Sequence, residues 1–363
     1  MSKKVVVIAA GGTGGHLFPA AAFAEEMFRR GWRVILMTDA RGRRYAEGFP
    51  AERIEDVPAA SLSANPITAI PNALKIMRGI NEAKKRFNAL PPHLVAGFGG
   101  YPSFPALMAA RAHKVPILIH EQNSVLGRVN RAMATSAAIV ACGFERLDRL
   151  PAKAADRKHV VGNPVRLPIL AVRDRPYPEA PAGGRLNILI IGGSQGARIF
   201  GEVIPAAFAL LPQELRARLD VVHQVREEQI AAVTKTYQKA KVNAEVAAFF
   251  KDMGQRLGAA HLVIGRAGAS TVTELQVAGR PAVLVPFAAA ADDHQTANAE
   301  GLTAVGAADL FTEAEFQPAP LAALLERRLA DPHGLAVRAA AARAAARPDA
   351  AKSLADLAES VAL

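Results

Sequence analysis

Two stretches of this chain are built on the same plan, and that repetition restricts the fold more than any other feature. Val5-Val6-Val7-Ile8-Ala9-Ala10 runs into Gly11-Gly12, and Ile188-Leu189-Ile190-Ile191 runs into Gly192-Gly193, 181 residues later. Leu94-Val95-Ala96-Gly97-Phe98-Gly99-Gly100 is matched 168 residues on by Leu262-Val263-Ile264-Gly265-Arg266-Ala267-Gly268. Each of these is followed by a helix-like span and a Pro-led strand, Val115-Pro116-Ile117-Leu118-Ile119 and Arg280-Pro281-Ala282-Val283-Leu284-Val285, with the prolines 165 residues apart. Short β-branched runs closed by glycine and separated by helical spans are the pattern of parallel strands joined by helices. Three paired features in one order predict an α/β protein of two similar halves.

The seam is expected near Gly162-Asn163-Pro164-Val165-Arg166, ahead of a loop rich in Pro and Gly from Arg173 to Gly184. This gives a first domain over 1–162 and a second over 163–347. Residues 348–363 read as a last helix, with Leu354, Leu357 and Val361 at spacings of three and four, that ends the second half or packs back on the first.

Composition narrows the function classes. The only cysteine is Cys142, which excludes an internal disulfide and a multi-cysteine metal cluster and suits a reducing cytoplasm. The basic start Met1-Ser2-Lys3-Lys4 resembles a signal peptide, but the apolar run stops at Gly11 and reads as a strand. The longest apolar stretch, Ala282 to Ala291, is interrupted by Pro286 and is far short of the roughly 20 residues of a membrane span. A formal charge of +11 favours anionic partners, although a general Ala/Arg bias also explains it. An aromatic content of 6%, with no basic-aromatic interleaving, speaks against nucleic acid.

In doubly wound sheets, ligands bind beyond the carboxyl ends of the strands, where helix starts offer free N–H groups to phosphates. Both halves carry glycine loops at that position. A nicotinamide enzyme, with Asp39 on the ribose, is the obvious rival. Its third fingerprint glycine would fall at Leu17, however, and Gly192-Gly193-Ser194-Gln195-Gly196-Ala197 does not fit the fingerprint either. Neither loop contains the Gly-Lys-Ser/Thr of a P-loop.

An ordered set of motifs covers nearly the whole chain. It comprises Gly11-Gly12-Thr13-Gly14-Gly15-His16, Gly97-Phe98-Gly99-Gly100-Tyr101, His120-Glu121-Gln122-Asn123, Gly162-Asn163-Pro164-Val165-Arg166, Gly192-Gly193-Ser194-Gln195-Gly196-Ala197, Arg266-Ala267-Gly268-Ala269-Ser270-Thr271 and Asp293-His294-Gln295-Thr296-Ala297-Asn298. Together they resemble the MurG family of peptidoglycan glycosyltransferases. The resemblance implies the GT-B fold: two Rossmann-like parallel-sheet domains with an interdomain cleft, the first for the acceptor and the second for the UDP-sugar. It implies inverting transfer of N-acetylglucosamine from UDP-N-acetylglucosamine to an undecaprenyl-diphosphate-linked muramyl-pentapeptide, by a peripheral protein at the cytoplasmic face of the bacterial membrane. It implies no cofactor and no bound metal, and the sequence offers no Asp-x-Asp motif, Asp292-Asp293 being the nearest approach.

Residue by residue, the resemblance makes His16 and Glu121 the catalytic candidates. Thr13, Gly14, Gly15, Asn123, Arg166, Ser194, Arg266, Ala269, Ser270, Thr271, Glu274 and Gln295 become the UDP-N-acetylglucosamine contacts, and Tyr101 an acceptor-side residue. Ordinary structural roles stand beside these. A histidine suits a general base, but lone histidines are often structural. Glu274 is implied to hold the uridine ribose, whereas its spacing from Thr271 also suits a capping box. Arg166 faces a diphosphate or makes an interdomain ion pair. Asn123 and Gln295 contact sugar hydroxyls or stabilise their own loops. His120-Glu121 could equally be a buried hydrogen-bonding pair, and Arg266 could support its neighbouring loop.

Between Ile67 and Phe87, the residues Ile70, Leu74 and Met77 lie at helical spacing among Lys75, Arg78, Lys84, Lys85 and Arg86. Such a helix is either core-facing or rests on anionic lipid. Two rival functions remain. A UDP-N-acetylglucosamine 2-epimerase shares the fold, but its Gly-Thr-Arg-Pro-Glu loop is absent here. A non-catalytic nucleotide-sugar-binding subunit would be expected to have lost the first glycine loop or its histidine, and both are intact.

Overall fold

A computed structural model describes residues 3–12, 14–44, 46–61, 66–178, 183–193 and 196–363, without the side chains of 66–68. The chain divides into two compact units. Unit 1 comprises Met1–Arg166 and Arg347–Leu363, and unit 2 comprises Leu167–Ala346.

Unit 1 is built on strands β1 (Val5–Ala9), β2 (Arg33–Thr38), β3 (Arg53–Asp56), β4 (Leu94–Gly97), β5 (Ile117–Glu121), β6 (Ile139–Cys142) and β7 (Lys158–Val160). They form one sheet in the order β3-β2-β1-β4-β5-β6-β7, every pair parallel. Alternation along β1 sends Val6 and Ile8 into one apolar cluster and Val5, Val7 and Ala9 into another. The strand therefore buries both faces, which is why it reads as an unbroken apolar run. Edge strand β3, Arg-Ile-Glu-Asp, carries the polar residues that such a position tolerates.

The helix Ala350–Val361 belongs to this unit. Leu354, Ala355 and Ala358 enter the cluster beneath the helix Gly14–Arg29. Glu359 accepts from Trp32 Nε1 at 3.0 Å and from Arg30 Nη1 at 2.7 Å. At Gly162, φ is +89°, and a Cβ there would come within 2.7 Å of Arg347 Cβ, so the chain passes close only because the residue is glycine.

Unit 2 repeats the plan with β8 (Leu186–Ile191), β9 (Leu219–Gln224), β10 (Asn243–Ala247), β11 (Leu262–Gly265), β12 (Ala282–Leu284) and β13 (Ala308–Leu310). Their order is β10-β9-β8-β11-β12-β13, again all parallel. The strands recognised as repeats in the sequence occupy equivalent places: β1 with β8, β4 with β11, and β5 with β12. In each unit the strand order reverses direction between the first and fourth strands. That switch point lies between β1 and β4 in one sheet and between β8 and β11 in the other, and it is where doubly wound folds bind ligands.

The helix Pro66–Ala89 packs Ile76, Ala83 and Phe87 inward. Ile70, Leu74 and Met77 point out, 71%, 62% and 59% exposed, beside exposed Lys75 and Arg78. Arg86 is occupied within the unit: it bonds to Glu55 at 2.9 Å and to the Asp56 carbonyl. Among the described residues, no helix is long and apolar enough to cross a membrane.

Candidate functional site

Unit 1 brings two glycine loops into backbone contact at its switch point. A Cβ on Gly100 would lie 2.5 Å from the Gly11 carbonyl oxygen, and one on Gly11 would lie 2.8 Å from Pro102. The Gly99 and Gly100 backbones have φ of +87° and +74°, a conformation that favours glycine. This close approach seats His16, in the first turn of Gly14–Arg29, directly over the second loop, 3.3 Å from where a Cβ would stand on Gly99 or Gly100.

A chain of hydrogen bonds runs inward from His16. Its Nδ1 is 2.9 Å from Gln122 Oε1. Gln122 Nε2 lies 3.0 Å from His120 Nδ1 and 3.0 Å from the His120 carbonyl oxygen, and His120 Nε2 lies 3.0 Å from the Gly162 carbonyl oxygen. His120 sits near the end of β5, its ring tilted 36° against Phe98 with centroids 5.4 Å apart. Burial holds its pKa down to about 4, so the ring is neutral at physiological pH.

Glu121 is buried, and its carboxylate is fully engaged. Oε1 accepts from the Asn123 amide and side chain at 3.1 and 3.2 Å, while Oε2 accepts from the Gly127 amide at 3.0 Å and Asn130 Nδ2 at 2.8 Å. A carboxylate with four donors organises the 121–130 loop and has little lone-pair capacity left for a substrate proton. The same bonds orient Asn123. Tyr101 donates its hydroxyl to Asp39 Oδ2 at 2.6 Å, while Asp39 Oδ1 accepts from the Gly42 amide at 2.9 Å. Arg166 lies over the Phe18 ring at 4.2 Å, a cation–π contact that fixes the guanidinium beside the start of the first helix. Gly14 and Gly15 open that helix.

At the switch point of unit 2, Gly193 and Gly196 have φ of +80° and +67°. Gln224 supports their loop: it accepts from the Gly192 amide at 3.3 Å and donates to the Gly193 and Ala248 carbonyls. Beyond β11 the helix Ala269–Ala278 begins after Gly268, and its first intrahelical bond is Val272 N–H to Gly268 O. The amides ahead of Val272 therefore remain as donors at the positive end of the helix dipole, suited to an anion. Ser270 Oγ is a buried atom with no hydrogen-bond partner among the described residues, and it lies in this same turn. Because the cap is Gly268, which has no side chain, Thr271 and Glu274 do not form the capping box that their spacing allows. Glu274 stands instead in the second turn, partly exposed.

Arg266 joins the loop after β11 to the segment after β12. It donates to the Val285 and Pro286 carbonyls at 3.1 and 3.2 Å, pairs with Glu313 at 2.5 Å and lies between the Phe200 and Phe287 rings. Gln295 Oε1 accepts from the Phe287 amide at 2.9 Å, and buried Asn298 donates to the Ala267 carbonyl at 3.2 Å.

Unit 1 thus gathers His16, Gly14, Gly15, Glu121 and Asn123, with Tyr101 and Arg166 anchored by Asp39 and Phe18. Unit 2 gathers Arg266, Ala269, Ser270, Thr271, Glu274 and Gln295. Thr13 and Ser194 lie outside the described residues. Sequence reasoning passed over Asp39 as a partner for Tyr101, and also Gln122, Asn130, Gln224 and Asn298. Gln122 lies in His120-Glu121-Gln122-Asn123, and its signal was a polar side chain directly following a wholly buried strand. Among the described residues, no group of three or more His, Cys, Asp or Glu is placed to hold a metal ion.

Comparison with known proteins shows the family to which the chain belongs. Residues 6–142 match the Glycosyltransferase family 28 N-terminal domain, and residues 187–354 match the Glycosyltransferase family 28 C-terminal domain. The chain is 54% identical over 356 residues to the UDP-N-acetylglucosamine--N-acetylmuramyl-(pentapeptide) pyrophosphoryl-undecaprenol N-acetylglucosamine transferase of Maricaulis maris, covering 98% of this chain and 97% of that one. It is 49% identical to the protein of the same name from Caulobacter vibrioides, covering 99% of each. Among solved structures, that of MurG from Acinetobacter baumannii superposes with a TM-score of 0.80 at 34% identity, over 98% of this chain and 99% of that one.

Proposed function

The chain belongs to glycosyltransferase family 28, and on that footing we propose that it transfers N-acetylglucosamine from UDP-N-acetylglucosamine to an undecaprenyl-diphosphate-linked muramyl-pentapeptide in peptidoglycan synthesis. The observation that carries this reading is 49–54% identity, over nearly the full length, to relatives named for that transfer. The chemistry is an inverting single displacement. The acceptor hydroxyl oxygen bonds to the anomeric carbon as the bond from that carbon to the UDP oxygen breaks, and the hydroxyl proton passes to His16. The charge left on UDP is met by N–H groups at the start of the helix Ala269–Ala278, without a metal ion. Glu121 serves as a positioning residue for the loop that presents Asn123. UDP release by the pure protein is expected to require the lipid-linked acceptor and to persist in EDTA. Activity restored only by Mg²⁺ or Mn²⁺ would reject the metal-independent step.

Glu274 holds the uridine ribose hydroxyls in this account. Glu274→Ala is expected to weaken UDP-sugar binding by about 1.5–3 kcal/mol, the range for hydrogen bonds to a charged group, and to leave acceptor binding unchanged. Calorimetry with UDP alone checks this, and an unchanged Kd would remove the ribose role.

The protein rests on the inner face of the cytoplasmic membrane through the outward face of Pro66–Ala89. Ile70, Leu74 and Met77 supply apolar area, and Lys75, Arg78 and Lys85 supply charge, each cation contributing about 1 kcal/mol near an anionic surface. Replacing these three cations with glutamine is expected to reduce sedimentation with anionic vesicles, more at low salt than at high salt. Equal sedimentation of variant and parent at low salt would discard the patch.

A further inference from the structure

The bonds between His16 and Gly162 run in one direction only. Gln122 Nε2 lies 3.0 Å from the His120 carbonyl oxygen, which can only accept, so this end of the amide is the NH₂ group. Reversing the amide would set two carbonyl oxygens against each other. The other end is therefore the oxygen, and the ring atom 2.9 Å from it, His16 Nδ1, must carry a hydrogen. At the far end, His120 Nε2 faces the Gly162 carbonyl oxygen and must donate, which leaves His120 Nδ1 as the acceptor for the second Gln122 hydrogen. Every donor in the chain then has an acceptor, and no member is free to turn. His120 and Gln122 are each 1% exposed or less, so water does not compete for these bonds.

We infer that Gln122 is a positioning residue for the transfer reaction: by accepting from His16 Nδ1–H it leaves His16 Nε2 as the atom that takes the acceptor's proton. This rests on the reading of His16 as the base. A free histidine side chain favours the opposite tautomer, with its proton on Nε2, and in that form the ring would present a donor to the hydroxyl it has to deprotonate. When the acceptor oxygen bonds to the anomeric carbon and UDP departs, the hydroxyl proton moves to His16 Nε2 and the ring becomes an imidazolium. The Nδ1–H bond to Gln122 persists and becomes charge-assisted, so the ring does not reorient. An amide does this without adding negative charge next to two diphosphate-bearing substrates, which a carboxylate at 122 would do.

The test is nitrogen NMR of the full chain labelled with ¹⁵N-histidine, the His16 signals being identified by their loss in His16→Gln. The parent is expected to show neutral His16 protonated at Nδ1. Gln122→Met, of similar length but without the acceptor, should move the proton to Nε2 and lower kcat roughly 10²-fold with KM for UDP-N-acetylglucosamine unchanged. Gln122→Glu keeps an oxygen facing Nδ1 and should retain the Nδ1–H form, but its second oxygen replaces the NH₂ that donates to the His120 carbonyl, so it should recover only part of the lost kcat. A parent His16 protonated at Nε2, or a Gln122→Met variant that melts and turns over like the parent, would overturn the inference. The tautomer is read without substrate. An Nδ1–H parent combined with a fully active His16→Ala would therefore refute the base assignment, and with it the catalytic part of the inference, while leaving the hydrogen-bond order intact.

Discussion

His16→Ala is expected to lower turnover by roughly 10²–10⁴-fold while leaving UDP affinity nearly intact, the range for a lost general base. The acceptor hydroxyl must lose its proton as it attacks, and His16 is the residue whose placement suits that task. It sits in the first turn of a helix at the switch point of unit 1, over Gly99 and Gly100. Its Nδ1 is bound inward, so the opposite ring nitrogen is the one available to substrate. Glu121, the other candidate, already accepts four hydrogen bonds. Steady-state kinetics over pH checks the prediction. The acidic limb of the parent profile should be missing from the variant; a limb that persists under a lowered kcat would make His16 a positioning residue, and an undiminished kcat would remove it from the reaction.

Arg280→Met is expected to destabilise unit 2 by about 3–5 kcal/mol. Arg280 is 1% exposed, and its guanidinium donates to four carbonyls: Leu257 and Gly258 at the end of one helix, and Ala278 and Gly279 at the end of another, at 2.7–2.9 Å. Tyr177 lies against it at 5.5 Å. Burial pushes the guanidinium pKa down to about 10, which still leaves it charged at neutral pH. That charge stands at the C-terminal end of Ala269–Ala278, where it complements the helix dipole. Methionine fills much of the space but leaves buried carbonyl oxygens unsatisfied, and Arg280→Lys, with three donors on one nitrogen, should restore only part of the loss. Urea denaturation followed in unit 2 checks this, and a loss below about 1 kcal/mol would mean the carbonyls find other partners. Because the same helix carries Ser270 and Glu274, the variant should also bind UDP more weakly.

Much of the fold was legible because its signals are local. A strand buried on both faces must be apolar throughout, as in Val5–Ala9, and a tight turn at a switch point calls for glycine, as at Gly11-Gly12 and Gly192-Gly193. The 181- and 168-residue offsets carried the equivalence of the two sheets because each repeated strand keeps its place in the order. Partnerships across the chain were not legible. His16 meets Gln122 over a separation of 106 residues, and no local pattern says which polar side chain a strand end will present to a distant loop. The spacing of Thr271 and Glu274 also suited a capping box because spacing alone does not fix where a helix starts, and here the cap is Gly268, three residues before Thr271. Arg266 was read by its motif alone, and the two carbonyls, Glu313 and two aromatic rings that surround it come from segments far along the chain. The spacing of Ile70, Leu74 and Met77 suited a core stripe or a lipid-facing one, and they lie on the outer face because Ile76, Ala83 and Phe87 fill the inner one.

The most direct test of the central claim is the product. The protein, treated with EDTA and incubated with UDP-N-acetylglucosamine and a muramyl-diphospho-lipid, should form a lipid-linked disaccharide with a β-1,4 bond, one UDP appearing for each disaccharide by mass spectrometry and proton NMR. Epimerisation of the sugar nucleotide without acceptor, and with no new glycosidic bond, would contradict the account.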